Sequence, residues 1–271
     1  VDRREARAMS ALEFSAVGID VGGRALVRGV DLRVAPGELV ALLGPNGAGK
    51  TSLMRAGCGL LRVAAGAVRV GGDDPRALGP AERGRRLAYL PQSREAAWPV
   101  RVRDAVALGR FARGAAPGLL RGEDAVAVDA ALAACALGAL ADRRIDTLSG
   151  GELARAHVAR IFASRAPLAL ADEPAAALDP FHQFAVMALF RAYADRGGAA
   201  LVVMHDATLA ARFADRLAWM RDGRILADGP PARTLTPATL AAVYGVRAQV
   251  LDSAAGPVVA VLGGEEQGAD K

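Results

Sequence analysis

The sequence predicts an α/β fold built on a mostly parallel sheet, with an antiparallel β subdomain ahead of it and an α-helical subdomain inserted into it. Three observations carry this prediction. Four short apolar runs, ELVALL (38–43), RLAYL (86–90), PLALA (167–171) and AALVVM (199–204), are continuous rather than alternating, as strands buried on both faces are. All but the second pass directly into a helical pattern, the succession expected of a parallel sheet. Each run also ends on polar or glycine residues: Gly44, Pro91-Gln92, Asp172-Glu173 and His205. Ligands of such sheets bind beyond the carboxyl ends of the strands, so these residues are expected to converge.

In chain order, residues 1–9 read as an N-terminal extension, because Met9 opens a more typical start (MSALEF). ALEFSAV (11–17) and RALVRGVDLRV (24–34) flank a Gly22-Gly23 turn, and Pro36-Gly37 turns the chain again, which predicts antiparallel strands packed on the core. Residues 101–112 and 124–140 read as helices separated by a Gly/Pro-rich loop, within an inserted helical subdomain over 93–158. The α/β core thus occupies 10–92 and 159–250 of a single domain over 10–250. WMRDGRILADG (219–229) reads as a hairpin around Asp222-Gly223, followed by a short helix that Thr236 and Pro237 open. Residues 251–271 are expected to form a strand and a tail, the part after 263 without fixed structure.

Composition narrows the functional classes. The chain has 271 residues, 52% hydrophobic but only 4% aromatic, so its core is mostly Ala, Leu and Val. The net charge is +5, but the arginines are scattered rather than run together, and no nucleic-acid partner is expected. Cys58 and Cys135 lie in apolar stretches without a C-x-x-C and read as buried thiols. The longest apolar run, 130–140, is well short of the roughly 18 residues of a membrane span. If the protein works at a membrane, another chain crosses it.

The sharpest motif is Gly44-Pro45-Asn46-Gly47-Ala48-Gly49-Lys50-Thr51, which fits G-x-x-x-x-G-K-[ST] between a predicted strand and a helix that continues through Ser52. Its glycines let backbone N–H groups wrap phosphates, the helix N-terminus adds partial positive charge, and Thr51 offers a hydroxyl to Mg²⁺. Lys50 is one of only two lysines against 32 arginines, the other being Lys271. Such a loop calls for a compact ammonium and excludes a planar guanidinium. These features resemble a P-loop NTPase core of the RecA-like kind. Asp172, ending an apolar strand, is placed to hold Mg²⁺ through water, and Glu173 to polarise an attacking water. Ser149 and Glu152 form a capping box, S-x-x-E, while Gly150 and Gly151 between them expose the helix's first N–H groups as a second anion site. A chain with two phosphate-ready helix ends suggests a shared site, the second end of one copy covering the nucleotide of another. His205 is placed to hydrogen-bond the γ-phosphate, whereas His157 and His182 read as structural.

Together GPNGAGKT, Gln92, LSGGE (148–152), LALADEP (168–174), ALD (177–179) and His205 resemble the ATP-binding cassette (ABC) ATPases, over about 10–250. The resemblance implies that Lys50 binds the β/γ-phosphates of ATP and that Thr51, Gln92 and Asp172 serve Mg²⁺. Glu173 is then the catalytic base, His205 the switch histidine, and Asp179 belongs to the loop between the two sites. Ser149, Gly150 and Gly151 would contact the γ-phosphate in trans within a head-to-tail homodimer. VRVRDAVALGR (100–110) after LPQ, and LTPATLAAVYGV (235–246), are similar to the ATPases of importers for iron–siderophore complexes, haem and cobalamin. That implies two transmembrane permease subunits contacted through the 93–120 surface, a periplasmic binding protein acting indirectly, and a peripheral position on the cytoplasmic face of the cell membrane. Three positions depart from the family pattern: Val21 where an aromatic usually stacks on adenine, Leu153 for Gln, and Ala175 for Thr. None removes a catalytic group. The competing readings are an importer ATPase for another substrate such as a metal ion or amino acid, a soluble ABC protein acting on nucleic acid or ribosomes, and a nucleotide-binding regulator without turnover.

Overall fold

The computed structural model describes residues 10–92, 99–115 and 118–264. The expected N-terminal extension and the end of the tail lie outside them.

A six-stranded sheet forms the centre. Its strands are β3 (Leu39–Leu43), β5 (Leu87–Leu90), β6 (Leu168–Asp172), β7 (Ala199–Val203), β8 (Arg216–Arg221) and β9 (Arg224–Gly229), in the order β5-β6-β7-β3-β8-β9. The first five run parallel and β9 returns antiparallel through the Asp222-Gly223 turn. Burial on both faces explains the continuous apolar runs. Leu39, Ala41 and Leu43 of β3 face one core cluster, and Val40 and Leu42 face the other. The first core packs under helices, including α5 (Gly150–Ser164) and α6 (Pro180–Asp195); the second packs under a three-stranded antiparallel sheet. That sheet has the order β2-β1-β4, from β1 (Leu12–Val21), β2 (Arg24–Val34) and β4 (Ala65–Val70), joined at Gly22-Gly23 as expected.

Helix α1 (Lys50–Gly57) follows β3, and α2 (Pro80–Arg86) precedes β5. The segment after Gln92 contributes α3 (Val102–Ala107), a 3₁₀ turn over Leu108–Arg113 and α4 (Gly122–Ala134). The second helix of that segment is shorter than the predicted 124–140. It ends at Ala134 because Ala136 turns left-handed at φ 52°, after which only a 3₁₀ turn continues. The chain then enters α5, which runs unbroken across residue 158 into β6. Toward the end come α7 (Ala207–Phe213), α8 (Pro231–Thr234) and α9 (Pro237–Tyr244), whose cap is Thr236. The C-terminal strand is a two-stranded hairpin, β10 (Val246–Ser253) and β11 (Gly256–Gly264), so its first strand begins before residue 251. Cys58 and Cys135 are free and buried; burial pushes both thiols up, that of Cys135 to about 12. No helix among the described residues is long and apolar enough to cross a membrane.

Candidate active site

The four polar strand ends do meet. β5, β6, β7 and β3 are consecutive neighbours in the sheet and parallel, so Gln92, Asp172-Glu173, His205 and the loop from Gly44 emerge at one edge. A cleft of about 360 Å³ opens there, lined by Asn46 through Ser52, Gln92, Glu173 and Leu26.

The loop is bent by three glycines in conformations that side chains avoid: Gly44 (φ 153°), Gly47 (φ 80°) and Gly49 (φ 102°). At Gly44 and Gly49 close packing adds a second reason. A Cβ on Gly44 would lie 2.0 Å from the Met220 carbonyl oxygen, and one on Gly49 would lie 2.6 Å from that of Leu26. Gly49 caps α1 without any side-chain hydrogen bond, and the first turn carries no acidic residue. The first turn of the helix lines the cleft without a capping side chain, the arrangement that leaves N–H groups free to bind phosphate. Lys50, only 6% exposed, folds back over the loop and donates from Nζ to the carbonyl oxygens of Gly44 (2.6 Å) and Pro45 (2.9 Å). Burial lowers its pKa, opposed by the charges of Glu173 and Asp172.

Asp172 is fully buried, and neither carboxylate oxygen has a hydrogen bond of normal geometry among the described residues. Burial raises its pKa, while the nearby Thr51 hydroxyl and Lys50 pull the other way. A buried, unsatisfied carboxylate beside a hydroxyl is the donor set a hydrated divalent cation would complete.

Glu173 stands apart from its neighbour. Gln92 Nε2 donates to its Oε2 at 2.8 Å and His205 Nε2 lies 2.6 Å from its Oε1, so residues from three strands meet on one carboxylate. Its backbone is left-handed (φ 52°), a conformation costly for a side-chain residue and most often kept where function requires it. The turn aims the carboxylate into the cleft instead of along the strand.

Ser149 caps α5 with both arms of the expected capping box. Ser149, Gly150 and Gly151 do not line the cleft of their own chain. Asp179 caps α6, and one residue that sequence reasoning set aside belongs beside it. His182 bonds Asp179 through Nδ1 at 2.7 Å, and its ring lies against Gly151. The one visible hint was its position three residues after an N-cap aspartate. His157, by contrast, is buried in α5. At the tip of the β1–β2 hairpin, Val21 is exposed.

A glycine-rich phosphate loop, a buried strand-end aspartate and a glutamate clamped by Gln92 and His205 on this sheet define an ATP-binding ATPase. The chain belongs to the ABC transporter family, whose model matches residues 27–176. It is an ABC transporter ATPase, in which ATP hydrolysis is coupled to transport. It is 44% identical over 240 residues to the hemin import ATP-binding protein HmuV of Pseudomonas entomophila (strain L48), covering 84% of this chain and 92% of that one. HmuV of Rhodopseudomonas palustris (strain HaA2) is 39% identical over 259 residues, 92% of this chain and 97% of the relative. Among solved structures, a dimeric ATP-binding cassette in a post-hydrolysis state with ADP and phosphate superposes with a TM-score of 0.70 at 25% identity, over 81% of this chain and 98% of that one.

Proposed function

We propose that this protein is the ATPase subunit of a hemin importer, working as a head-to-tail homodimer on the cytoplasmic face of the membrane beneath two permease subunits. The clamp on Glu173 carries the catalytic part of the reading. A carboxylate at the mouth of a phosphate loop, held by groups from two flanking strands, is positioned to take a proton from a water attacking the γ-phosphate. His205 orients that carboxylate and, on reorientation, donates to the developing charge on the phosphate oxygens. Lys50 turns from the Gly44 and Pro45 carbonyls to the β- and γ-phosphates, and the N–H groups from Gly47 to Ser52 wrap the rest. Thr51, Gln92 and, through water, Asp172 would hold Mg²⁺, which would supply positive charge to offset that of the phosphates. Ser149, Gly150 and Gly151, which do not line their own cleft, and Asp179 serve the nucleotide of the second copy.

The choice of hemin rests on the likeness to the hemin import ATPases, which extends over the whole cassette. The permease contact is supported by a groove of about 280 Å³ lined by Pro80, Gly84, Tyr89, Leu108, Arg160 and the 73% exposed Phe111, among others. Such an apolar surface beside the Gln92 segment links the catalytic centre to a docked membrane subunit.

Steady-state ATPase assays on Glu173→Gln test the catalytic assignment: turnover should collapse while ATP binding persists, and unchanged turnover defeats it. For the cargo, proteoliposomes holding the co-purified permease should accumulate hemin only with ATP and active Glu173. Hemin left outside while another chelate enters would retire the hemin assignment and leave the ATPase.

A further inference from the structure

The contact between His182 and Gly151 joins two parts of the molecule that the proposed dimer uses together. Gly151 is the second residue of α5 and His182 the third of α6. A Cβ on Gly151 would lie 2.0 Å from His182 Cδ2 and 2.5 Å from Cγ and Nε2, so the ring occupies the space any side chain at 151 would need. Gly151 is not among the left-handed glycines, so this ring, and not its backbone conformation, is what demands glycine there. The ring cannot easily step aside. Its Nδ1 donates to Asp179 Oδ2 at 2.7 Å, and the Phe181 ring packs against it in a T-shaped pair with centroids 5.3 Å apart. The other oxygen, Asp179 Oδ1, accepts the His182 backbone N–H at 2.9 Å. Both carboxylate oxygens of Asp179 are thus fixed by one residue, and those bonds hold the Asp179 carboxyl below its ordinary range. Leu178 extends the same contact, its Cδ2 reaching 3.7 Å from where a Gly150 Cβ would sit.

We infer that His182 is a positioning residue for ATP hydrolysis: it locks the Ser149–Gly151 helix end to Asp179, so that both approach the second copy's nucleotide as one rigid unit. This rests on the trans reading of the site given above. Nucleotide binding within one copy does not involve the lock, because His182 does not line the phosphate cleft. Removing the ring frees the Asp179 carboxylate to rotate and lets the α5 end drift. The loss then falls on turnover and on its cooperativity with ATP concentration, and binding to a single copy is spared.

The test is a double-substitution cycle on the full-length protein. His182→Ala should lower kcat by roughly tenfold, the effect of losing one hydrogen bond to a charged group, and lower the Hill coefficient. The Kd for a fluorescent ATP analogue and the Tm should stay near wild type. His182→Asn, which keeps a donor for Asp179, should recover part of kcat. Gly151→Ala should cost far more kcat with His182 present than in the His182→Ala background, since the colliding ring is gone. Wild-type kcat in His182→Ala, or simply additive losses in the double variant, overturns the inference. Ser149→Glu distinguishes the underlying reading: if it hydrolyses ATP normally the trans site itself is wrong, whereas if it is inactive and His182→Ala is normal only the lock is wrong.

Discussion

Lys50→Arg keeps the charge at the phosphate loop and changes only its shape, so it isolates what the geometry demands. Lys50 is only 6% exposed, and two of its ammonium's three donors converge on carbonyl oxygens at 2.6 and 2.9 Å. The flanking backbone leaves no slack, because Gly44 and Gly49 are themselves in contact with the Met220 and Leu26 carbonyls. A guanidinium is longer and flat, and its donors diverge in a fork, so it cannot meet two converging acceptors from this backbone position. Each hydrogen bond to a charged group is worth about 1.5–3 kcal/mol. Losing the equivalent of one to two such bonds to the phosphates in the transition state costs about 3 kcal/mol, roughly a hundredfold or somewhat more in kcat/KM. Phosphate release across an ATP titration measures this, with a thermal melt to show that the variant is folded. A folded Lys50→Arg protein within fivefold of wild-type kcat/KM refutes the argument that this loop selects an ammonium by shape.

Two further outcomes follow from the same edge of the sheet. Gly44→Ala drives a Cβ into the Met220 carbonyl in a left-handed conformation, and should destabilise the fold by about 3 kcal/mol or more in denaturant titration, even without nucleotide. A variant as stable as wild type would show that β3 and β8 are less tightly apposed than described. Asp172 has a folded-state pKa raised by burial, so the folded protein holds that proton to higher pH than the unfolded chain does. Its contribution to stability therefore falls as pH rises from the ordinary carboxylate value through the raised one. Asp172→Asn removes that slope. Without ligand the variant should melt at or above wild type at neutral pH, and MgATP should stabilise wild type but hardly the variant. Melting well below wild type, or an equal gain from MgATP, contradicts the cation assignment.

How far the sequence discloses this molecule depends on the scale of the contact. Strands such as Leu39–Leu43 and Leu168–Asp172 announce themselves because burial on both faces leaves no polar alternation. The phosphate loop is equally plain, since its backbone geometry restricts Gly44, Gly47 and Gly49 to glycine. Strand order is a different matter. That β5, β6, β7 and β3 lie side by side is settled by long-range packing, and the meeting of Gln92 and His205 on Glu173 depends on it. The end of α4 is not legible, because the apolar pattern continues past Ala134 while the chain turns at Ala136, a residue with no special preference for φ > 0. The hairpin of Val246–Ser253 and Gly256–Gly264 is only partly legible, since its turn and mixed polarity give a weak two-residue period. The His182–Gly151 contact is invisible in the sequence because the two residues are 31 positions apart and Gly151 contributes only backbone.

The central claim is that GPNGAGKT is half of a site whose other half is Ser149–Gly151 of a second copy. Mixing two inactive variants measures this directly. Lys50→Ala destroys the phosphate loop and spares the helix end; Ser149→Glu does the reverse. A mixed dimer then contains one intact composite site and one with both lesions. Steady-state ATP hydrolysis should reappear on mixing, approaching at equal proportions about a quarter of the wild-type rate if subunits exchange at random and the sites act independently. Hydrolysis that stays absent after exchange has been shown would place both halves in one chain and contradict the account.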